Sequence, residues 1–523
     1  MGHELQFSID EFDWTKQWAR YSPHQIAYRD ADADVSWTWA EVYSLSCELS
    51  RELSERWGVS QGDRIALLAT NELESIALFH ACLRVGACLV PMNFRLAAPE
   101  IQHVLDDSEP TLLISQAQFT GVLAQVAAHA GPERRWEFES LQSFCRDHLV
   151  RFRARRGSEN LHREAGTAVP TWHRPLQADP ESPCMILYTS GTTGKPKGAM
   201  INPRMLFWNS LNTTLRLNLS QNDVFVSFLP FFHTGGWNVL LTPFAHRGAR
   251  TVLVKKFDAE KILETSAREG ATILFGVPTT MEMMAQTKAF READLSRIRY
   301  AIVGGEPMPI ELIRVWQERG IPIRQGFGLT EFGPNVFSLN EEDALRKIGS
   351  IGFPNFYIRT RVVDDHGLDV KPGEIGELIL QGPMCMPGYW RNPKATAETI
   401  REGWLHTGDL VRVDEEGFFY VAGRKKDMFI SGGENVYPVE IERVLSTHPD
   451  VREVAVIGFP DPKWGEVGCA YVSLHREVSS DELLKFCAQH LAKFKVPKHV
   501  RVLADLPKGD SGKLLKRALP KQL

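Results

Sequence analysis

Short runs of β-branched residues alternate with longer segments of helical period along most of this 523-residue chain. From Asp63 onward the order is strand, helix, strand, helix, strand, written in the sequence as RIALLA, LESIALFHACLRVG, ACLVPM, APEIQHVLDD and TLLIS. This alternation predicts βαβ units and a parallel sheet. It resumes downstream with the strand candidates MILY, VFVSFLP, TVLV, TILFG and YAIVGG.

A polar segment interrupts the alternation between about Arg134 and Pro183. It is rich in Arg, His, Glu and Pro, and it includes RFRARR at 151–156. A basic run of this kind could touch anionic lipid, but the composition favours a solvated connecting segment. We assign it no function.

The C-terminal part follows a different pattern. After Arg346 the turns DDHG, KPGE and DEEG come close together, and the runs VVD, GELIL and FFYVAG predict hairpins. From about Lys425 the order VEIERVLSTH, VAVIGF, CAYVSLH, DELLKFCAQHLA and HVRVL is sufficient for a small α+β domain. The predicted fold class is therefore α/β, with a large N-terminal domain of α/β layers, parallel sheets and a small β unit, followed by a small C-terminal α+β domain.

The amino-acid composition indicates which kinds of partner and which cellular compartment we expect for this protein. The chain carries 60 Lys+Arg against 65 Asp+Glu, a formal net charge of -5, which does not suggest a nucleic-acid partner. The eight cysteines are scattered without a C-x-x-C motif, as in a reduced cytoplasmic protein. The N-terminus lacks a signal-peptide pattern, and no apolar run approaches the roughly 20 residues of a membrane span. We expect a cytoplasmic protein without an integral membrane segment.

The segment YTSGTTGKPKG, Tyr188–Gly198, has the composition of a phosphate-binding loop. Its glycines let the backbone approach a ligand closely, and its Thr, Ser and Lys side chains supply donors and positive charge. It differs from a Walker A loop because Pro196 follows Lys195. A mobile polar loop is the alternative, but the position between a strand and a helical stretch favours phosphate binding.

Three more polar positions carry candidate chemistry. Thr330 and Glu331, in QGFGLTEFGP after a probable strand, are suited to a phosphate oxygen and Mg²⁺, although a helix cap is the simpler reading of such a pair. Asp409 in WLHTGDL, with Arg424 after a predicted hairpin, is suited to ribose hydroxyls or to a plain turn. Lys513 lies in a Gly-flanked loop, PKGDSGKLLKRAL, and carries no meaning alone.

In their order along the chain these motifs resemble those of the adenylate-forming superfamily, in its acyl-CoA synthetase branch. The resemblance runs from about Ala27 to Arg517, and FFHTGGW, VGGEPM, GYWRNPKATAET, HTGDL and GRKKDMFISGGENVYPVEIE complete the set. It implies a large ATP- and acyl-binding domain over 1–423, a hinge over 424–428 and a small mobile domain over 429–523. The implied cofactors are ATP, Mg²⁺ and coenzyme A.

The resemblance also implies a role for each site residue. The β- and γ-phosphates would be held by Thr189, Ser190, Gly191, Thr192, Thr193, Gly194 and Lys195. The adenine would be surrounded by Gly305, Glu306, Pro307, Gln325, Gly326, Phe327 and Gly328, with Phe327 where the superfamily more often has Tyr. Glu331 would ligate Mg²⁺, Thr330 would contact the α-phosphate, and Asp409 with Arg424 would hold the ribose. The pantetheine path would be lined by Ser431, Gly432 and Gly433.

The implied reaction has two halves. A carboxylate attacks the α-phosphate of ATP to give acyl-AMP and pyrophosphate, and Lys513 would stabilise the charge that builds there. The small domain would then rotate so that a thiol attacks the acyl-AMP. His233 is a further candidate catalytic residue, which would gate the acyl site or contact the substrate carboxylate. Ordinary packing is an equally compatible role for His233 and for Trp237.

The acid and the acceptor are less constrained. By the resemblance, peptide-synthetase adenylation domains usually carry an Asp near the aromatic segment to pair the amino group of their substrate. FFHTGG has none, so a bound α-ammonium would be buried unpaired, which disfavours amino acids. The apolar, aromatic motifs suit a fatty acid or an aromatic acid. Coenzyme A is the expected acceptor of the acyl group, and the alternative acceptor is a carrier protein. The phosphates of coenzyme A would lie near Lys493, Lys495, Lys498 or Lys516. A non-catalytic nucleotide- or acyl-binding regulatory protein on the same fold is the rival class, and a homodimer is left open.

Overall fold

The computed structural model describes residues 12–126, 134–158, 175–189, 196–306, 308–509 and 514–520. Its α-helices are α1 Trp14–Tyr21, α2 Trp39–Glu55, α3 Leu73–Val85, α4 Ala98–Ser108, α5 Thr120–Leu123, α6 Phe138–Ser158, α7 Pro203–Leu217, α8 Leu241–Arg247, α9 Ala259–Glu269, α10 Pro278–Ala285, α11 Lys288–Glu292, α12 Ile310–Glu318, α13 Pro393–Thr399, α14 Pro438–Leu445 and α15 Ser480–His490. A π-helix spans Gly235–Val239.

The strands are β1 Ile26–Asp30, β2 Val35–Thr38, β3 Arg64–Leu68, β4 Cys88–Pro91, β5 Leu112–Ser115, β6 Arg135–Glu137, β7 Met185–Thr189, β8 Lys197–Ile201, β9 Val224–Ser227, β10 Arg250–Leu253, β11 Ile273–Gly276, β12 Tyr300–Val303, β13 Ile323–Phe327, β14 Phe337–Ser338, β15 Ser350–Pro354, β16 Arg359–Val363, β17 Ile375–Gln381, β18 Ile400–Arg401, β19 Trp404–Val413, β20 Phe419–Arg424, β21 Phe429–Ser431, β22 Glu434–Val436, β23 Val451–Asp461, β24 Gly465–Leu474 and β25 His499–Val502. The predicted alternation from Asp63 onward is confirmed by β3, α3, β4, α4 and β5.

Three sheets organise these strands. In the first, the order is β6-β5-β3-β4-β7-β8, parallel except for the β7–β8 pair. The largest runs β16-β17-β19-β20-β15-β14-β13-β12-β11-β9-β10-β1-β2, and its parallel part covers β13 to β1. The small β unit predicted after Arg346 is therefore continuous with the large sheet, because β14 and β15 pair antiparallel beside β13.

The third sheet belongs to the C-terminal part of the chain. Its order is β22-β21-β24-β23, with β25 parallel to β24. It has a hydrophobic core of its own that includes Phe429, Ile441, Val456 and Leu483. The α/β class with a large N-terminal part and a smaller α+β part is confirmed.

The prediction of a solvated connecting segment after Arg134 is wrong for the first half of that segment. Residues Phe138–Ser158 form the helix α6, whose apolar residues Phe138, Leu141, Cys145 and Leu149 are buried against the first sheet's core. Their spacing follows a helical stripe, and all the arginines of the helix except Arg146 follow the last of them, Leu149. The high charge of the segment therefore concealed a packed amphipathic helix. Residues 159–174, also in this segment, lie outside the described part.

A buried ion pair fastens the N-terminal helix α1 to α3. Arg84 donates two hydrogen bonds to the Asp13 carboxylate, at 2.9 and 2.8 Å, and both side chains are almost fully buried. Arg84 also donates to the hydroxyl groups of Thr15 and Ser46. Asp13 caps α1 by accepting the Lys16 backbone N–H.

In the described part of the chain, every helix is too short or too polar to cross a bilayer.

Candidate active site

Three neighbouring parallel strands end together at one edge of the large sheet. In β11, β12 and β13, Gly276 pairs with Val303, and Val303 pairs with Gln325. The chain that follows β12 therefore lies beside the end of β13: a Cβ built on Gly304 would lie 3.6 Å from the Gly326 carbonyl oxygen. Ligands of open α/β sheets bind outside the carboxyl ends of such strands. This edge is the candidate active site.

Most of the residues predicted around the adenine lie at this edge. The described ones are Gly305, Glu306, Gln325, Gly326, Phe327 and Gly328, and Pro307 lies outside the described residues. Gln325 is buried, while Phe327 is half-buried. A Cβ on Gly328 would lie 2.0 Å from the Pro334 carbonyl oxygen, so only glycine fits this close backbone approach.

The C-terminal tail also reaches this edge. The backbone N–H of Leu514 donates to Glu306 Oε1 at 3.3 Å. Leu514 forms an isolated antiparallel bridge with Lys508, so the loop between them starts and ends at paired residues. Lys513 itself lies outside the described residues. Its neighbour Leu514 nevertheless ties this part of the tail to the predicted nucleotide segment.

The predicted phosphate loop joins two paired strands. Thr189 ends β7 and pairs with Lys197 at the start of β8, and its hydroxyl donates to the Lys197 carbonyl oxygen at 3.4 Å. The loop residues Ser190 to Lys195 lie outside the described part of the chain. Lys197 Nζ lies 5.1 Å from the ring centroid of Tyr389.

Thr330 and Glu331 follow β13, as their predicted position at a strand end requires, and they begin a short 3-10 helix, Thr330–Phe332. The Glu331 carboxylate accepts a hydrogen bond from Tyr389 Oη at 2.8 Å, and the Glu331 backbone carbonyl accepts the Met386 N–H at 2.9 Å. A half-buried carboxylate beside a threonine hydroxyl supplies the hard oxygen ligands that Mg²⁺ prefers. These residues fit a magnesium ion.

Asp409 and Arg424 face each other across the hairpin of β19 and β20. They are cross-strand partners, and Arg424 Nε lies 2.7 Å from Asp409 Oδ1. Asp409 is 4% exposed, whereas the Arg424 side chain is 51% exposed. The sequence placed the two residues in one site, and the hairpin register brings them into contact.

The aromatic segment FFHTGGW, residues 231–237, contains His233 and runs into the π-helix at Gly235. Asn71, which lies far away in sequence, holds the backbone at the start of this segment through two hydrogen bonds. The Asn71 Nδ2 donates to the Leu229 carbonyl oxygen at 2.9 Å, and the Asn71 Oδ1 accepts the Phe231 N–H at 3.0 Å. Trp237 is fully buried and donates to the Phe231 carbonyl oxygen, so it is a packing residue. His233 is half-buried and lies two residues before the π-helix. π-Helices of this length occur often at functional sites.

The residues predicted to contact coenzyme A lie in the C-terminal part. Ser431 ends β21, and Gly432 and Gly433 form the turn to β22 with φ of +61° and +86°. The Gly432 N–H donates to the Trp464 carbonyl oxygen at 2.8 Å. Among the four lysines suggested for the coenzyme phosphates, Lys495 and Lys516 are ion-paired, with Glu440 and Glu442.

Sequence reasoning missed Tyr389, Lys197 and Asn71 as residues of this site. Tyr389 was inside the quoted motif GYWRNPKATAET, and Lys197 was inside the phosphate loop motif, so motif membership was the available signal. Asn71 lies 160 residues from Phe231 in sequence, and no local pattern indicated it.

Comparison with known proteins agrees with this geometry. The AMP-binding enzyme family model matches residues 15–390, and the AMP-binding enzyme C-terminal domain model matches residues 440–513. A feruloyl-CoA synthase of Amycolatopsis sp is 37% identical over 96% of this chain and 97% of its own. A long-chain-fatty-acid–CoA ligase of Mycobacterium tuberculosis is 35% identical over 97% of each.

A solved structure shares the fold as well. The o-succinylbenzoate CoA synthetase of Bacillus subtilis, in complex with its acyl-adenylate intermediate, aligns with a TM-score of 0.82 and 31% identity over 98% of both chains. Family models, sequence relatives and solved structure all cover both the large part and the C-terminal part. The chain belongs to the AMP-binding enzyme family and is an AMP-forming acid–CoA ligase that uses ATP, Mg²⁺ and coenzyme A.

Proposed function

We propose that this ligase activates an aryl or arylalkyl carboxylic acid. The observation that carries the proposal is the approach of two glycines to the ring of Phe275. A Cβ on Gly235 would lie 3.8 Å from Phe275 Cε1, and a Cβ on Gly304 would lie 3.9 Å from Phe275 Cε2. Both distances are ordinary contacts, and neither glycine has a positive φ. Neither backbone strain nor crowding therefore explains these glycines, whereas a substrate ring would.

A planar ring between these glycines would meet the edge of Phe275. Edge-to-face aromatic pairs contribute about 0.5–1.5 kcal/mol beyond the area they bury. Leu229 is the other side chain near the Gly235 position, so the walls are apolar. Two of the relatives, a feruloyl-CoA synthase and an o-succinylbenzoate CoA synthetase, are named for aryl-containing acids, which supports this choice. A fatty acid is the second candidate, favoured by the long-chain relative.

In the adenylation half-reaction the acid's carboxylate oxygen attacks the α-phosphorus, and the bond to pyrophosphate breaks. We assign the β- and γ-phosphates to the loop Thr189 to Lys195, the α-phosphate to Thr330 and Lys513, and the ribose to Asp409 with Arg424. The adenine lies among Gly305 to Pro307 and Gln325 to Gly328. Glu331 holds Mg²⁺, which when bound neutralises phosphate charge. His233 contacts the carboxylate end of the acid.

In the second half-reaction the thiolate of coenzyme A attacks the acyl carbonyl carbon and AMP leaves. We assign the hinge to residues 424–428, between a large domain over 1–423 and a mobile domain over 429–523. This segment is a turn in which the Asp427 and Met428 N–H groups donate to the Arg424 carbonyl oxygen. Rotation there exchanges Lys513 for the segment Ser431, Gly432 and Gly433, which lines the pantetheine path.

We also assign the protein to the cytoplasm. All eight cysteines are free thiols, and seven of them are buried. Free thiols persist in reducing compartments.

The direct test is carboxylate-dependent pyrophosphate release with MgATP across aryl, arylalkyl, fatty and amino acids, with and without coenzyme A. We expect the highest kcat/KM for an aryl or arylalkyl acid and acyl-CoA formation only with the coenzyme. A maximum at a long-chain fatty acid would make the second candidate correct.

Adding a side chain beside Phe275 is expected to change selectivity. In Gly304→Val the added methyl groups occupy the ring position, so kcat/KM for the best aryl acid should fall about 10–100-fold, while a short acid such as propionate loses little. The matched control is Gly121→Val, because nothing lies within 4 Å of a Cβ there. Equal losses for aryl acid and propionate would show that Gly304 does not border the acyl group.

A further inference from the structure

Tyr389 holds the carboxylate that is assigned to Mg²⁺. Its hydroxyl donates to Glu331 Oε1 at 2.8 Å, although the two residues are 58 positions apart. The same chain segment also holds the Glu331 backbone, because the Met386 N–H donates to the Glu331 carbonyl oxygen at 2.9 Å. Residue 331 is thus fixed at its backbone and at one carboxylate oxygen by a single neighbouring segment.

Tyr389 is itself fixed from three directions. Its N–H donates to Thr396 Oγ1 at 2.9 Å, and Thr396 Oγ1 donates to the Asn392 carbonyl oxygen at the start of α13. Its backbone forms an antiparallel bridge with Ala199 in β8. The Lys197 ammonium lies 5.1 Å from its ring centroid. Only 9% of Tyr389 is exposed, so its hydroxyl is largely shielded from water, and the Thr399 side chain is a further hydrogen-bond partner of that hydroxyl.

The position of Tyr389 joins two parts of the nucleotide site. The segment around it pairs with β8 at the exit of the phosphate loop, through Trp390 N–H to the Gly198 carbonyl oxygen and Met200 N–H to the Gly388 carbonyl oxygen. Its side chain reaches the carboxylate after β13. A shift of the loop exit would therefore move Glu331 through Tyr389.

We propose that Tyr389 is a positioning residue for the binding of Mg²⁺. Its hydroxyl orients the Glu331 carboxylate by donating to Oε1, and this leaves Oε2 as the metal-binding oxygen. The proposal rests on the assignment of Mg²⁺ to Glu331 above. A glutamate has three rotatable side-chain bonds, and a fixed hydrogen bond to one oxygen removes most of that freedom before the metal arrives. Partners that orient a metal-binding side chain in this way change metal affinity by about 10–100-fold when they are lost.

The discriminating variant is Tyr389→Phe, because it keeps the ring against Lys197 and removes only the hydroxyl. The readout is metal affinity: water-proton relaxation enhancement of Mn²⁺–ATP bound to the enzyme, together with the Mg²⁺ concentration that gives half-maximal pyrophosphate release. We expect metal binding to weaken about tenfold, with most of the rate restored at saturating Mg²⁺.

The matched control is Tyr420→Phe. Tyr420 is 8% exposed and donates to Asp414 Oδ2 at 3.1 Å, so this variant removes a similar tyrosine–carboxylate bond far along the β19–β20 hairpin from Asp409. Its metal affinity should equal that of the wild type. Thr396→Val, which loosens Tyr389 without touching its ring, should weaken metal binding two- to threefold and serves if the Phe variant folds poorly.

Glu331→Gln separates the two levels of the proposal. Strong loss of Mn²⁺ binding in Glu331→Gln, with a tenfold loss in Tyr389→Phe and little further loss in the double variant, supports both. Loss in Glu331→Gln with wild-type affinity in Tyr389→Phe overturns the positioning role and leaves the metal assignment standing. Wild-type affinity in Glu331→Gln overturns both.

Discussion

Lys513→Ala is expected to slow acyl-AMP formation by about 10²–10³-fold, with acyl transfer from preformed acyl-AMP to coenzyme A nearly unchanged. The reason is that negative charge builds on the α-phosphate oxygens only in the adenylation transition state, so a lysine placed there contributes to that barrier alone. Lys513 immediately precedes Leu514, whose N–H is bonded to Glu306 at the strand-end edge. The described end of the tail therefore contacts the proposed nucleotide segment, which is the placement that the proposed role of Lys513 requires.

The two half-reactions are measured separately. Rapid-quench pyrophosphate formation without coenzyme A reports the first, and acyl-CoA formation from added acyl-AMP reports the second. The control is Lys508→Ala, because Lys508 is at the other end of the same loop and is ion-paired with Glu453. Equal losses in both half-reactions would refute the proposal that Lys513 acts only in adenylation. No loss in either half-reaction would show that Lys513 has no role in the active site.

The sequence predicted the strand ends that build the site because its signals there are local. An apolar run followed by glycine marks the end of a buried parallel strand, and β11 with Gly276 and β12 with Gly304 follow that pattern. Asp409 and Arg424 were placed together by motif order, and their direct contact follows from the pairing register of β19 with β20. Register depends on the turn between the strands and on the sheet face they bury.

The remaining parts depended on contacts distant in sequence. The bond between Tyr389 and Glu331 forms only when β8, β13 and the segment before α13 meet, so no spacing rule indicates it. The joining of the late hairpins to the large sheet depends on the two short strands β14 and β15, which carry little signal of their own. Helix α6 was missed for a different reason, because its arginines obscured the buried stripe that includes Leu141.

The largest loss of stability is expected from Arg84→Met. This change leaves the Asp13 carboxylate buried without its cation, at a cost of about 3–5 kcal/mol. The control is Arg56→Met, because the pair of Arg56 with Glu52 at 3.0 Å lies on the surface, with the Arg56 side chain 66% exposed, and should contribute under about 1 kcal/mol. Urea unfolding followed by tryptophan fluorescence at pH 7 measures both.

The pH dependence identifies the buried carboxylate as the cause. Burial by itself raises the pKa of Asp13, but the charge and hydrogen bonds of Arg84 outweigh burial and hold that pKa below its usual range. In the wild type this carboxylate therefore stabilises the fold above about pH 4 and loses its contribution as the pH falls through the folded pKa. Without Arg84, only the hydrogen bonds from Thr15 and the Lys16 N–H oppose burial, so the pKa of Asp13 rises above its wild-type value and the acid becomes neutral at a higher pH. The difference in unfolding free energy between Arg84→Met and the wild type should then shrink as the pH is lowered from 7 toward 4. A difference that stays constant over this range would assign the loss to the packing of the arginine side chain instead of to an unpaired charge.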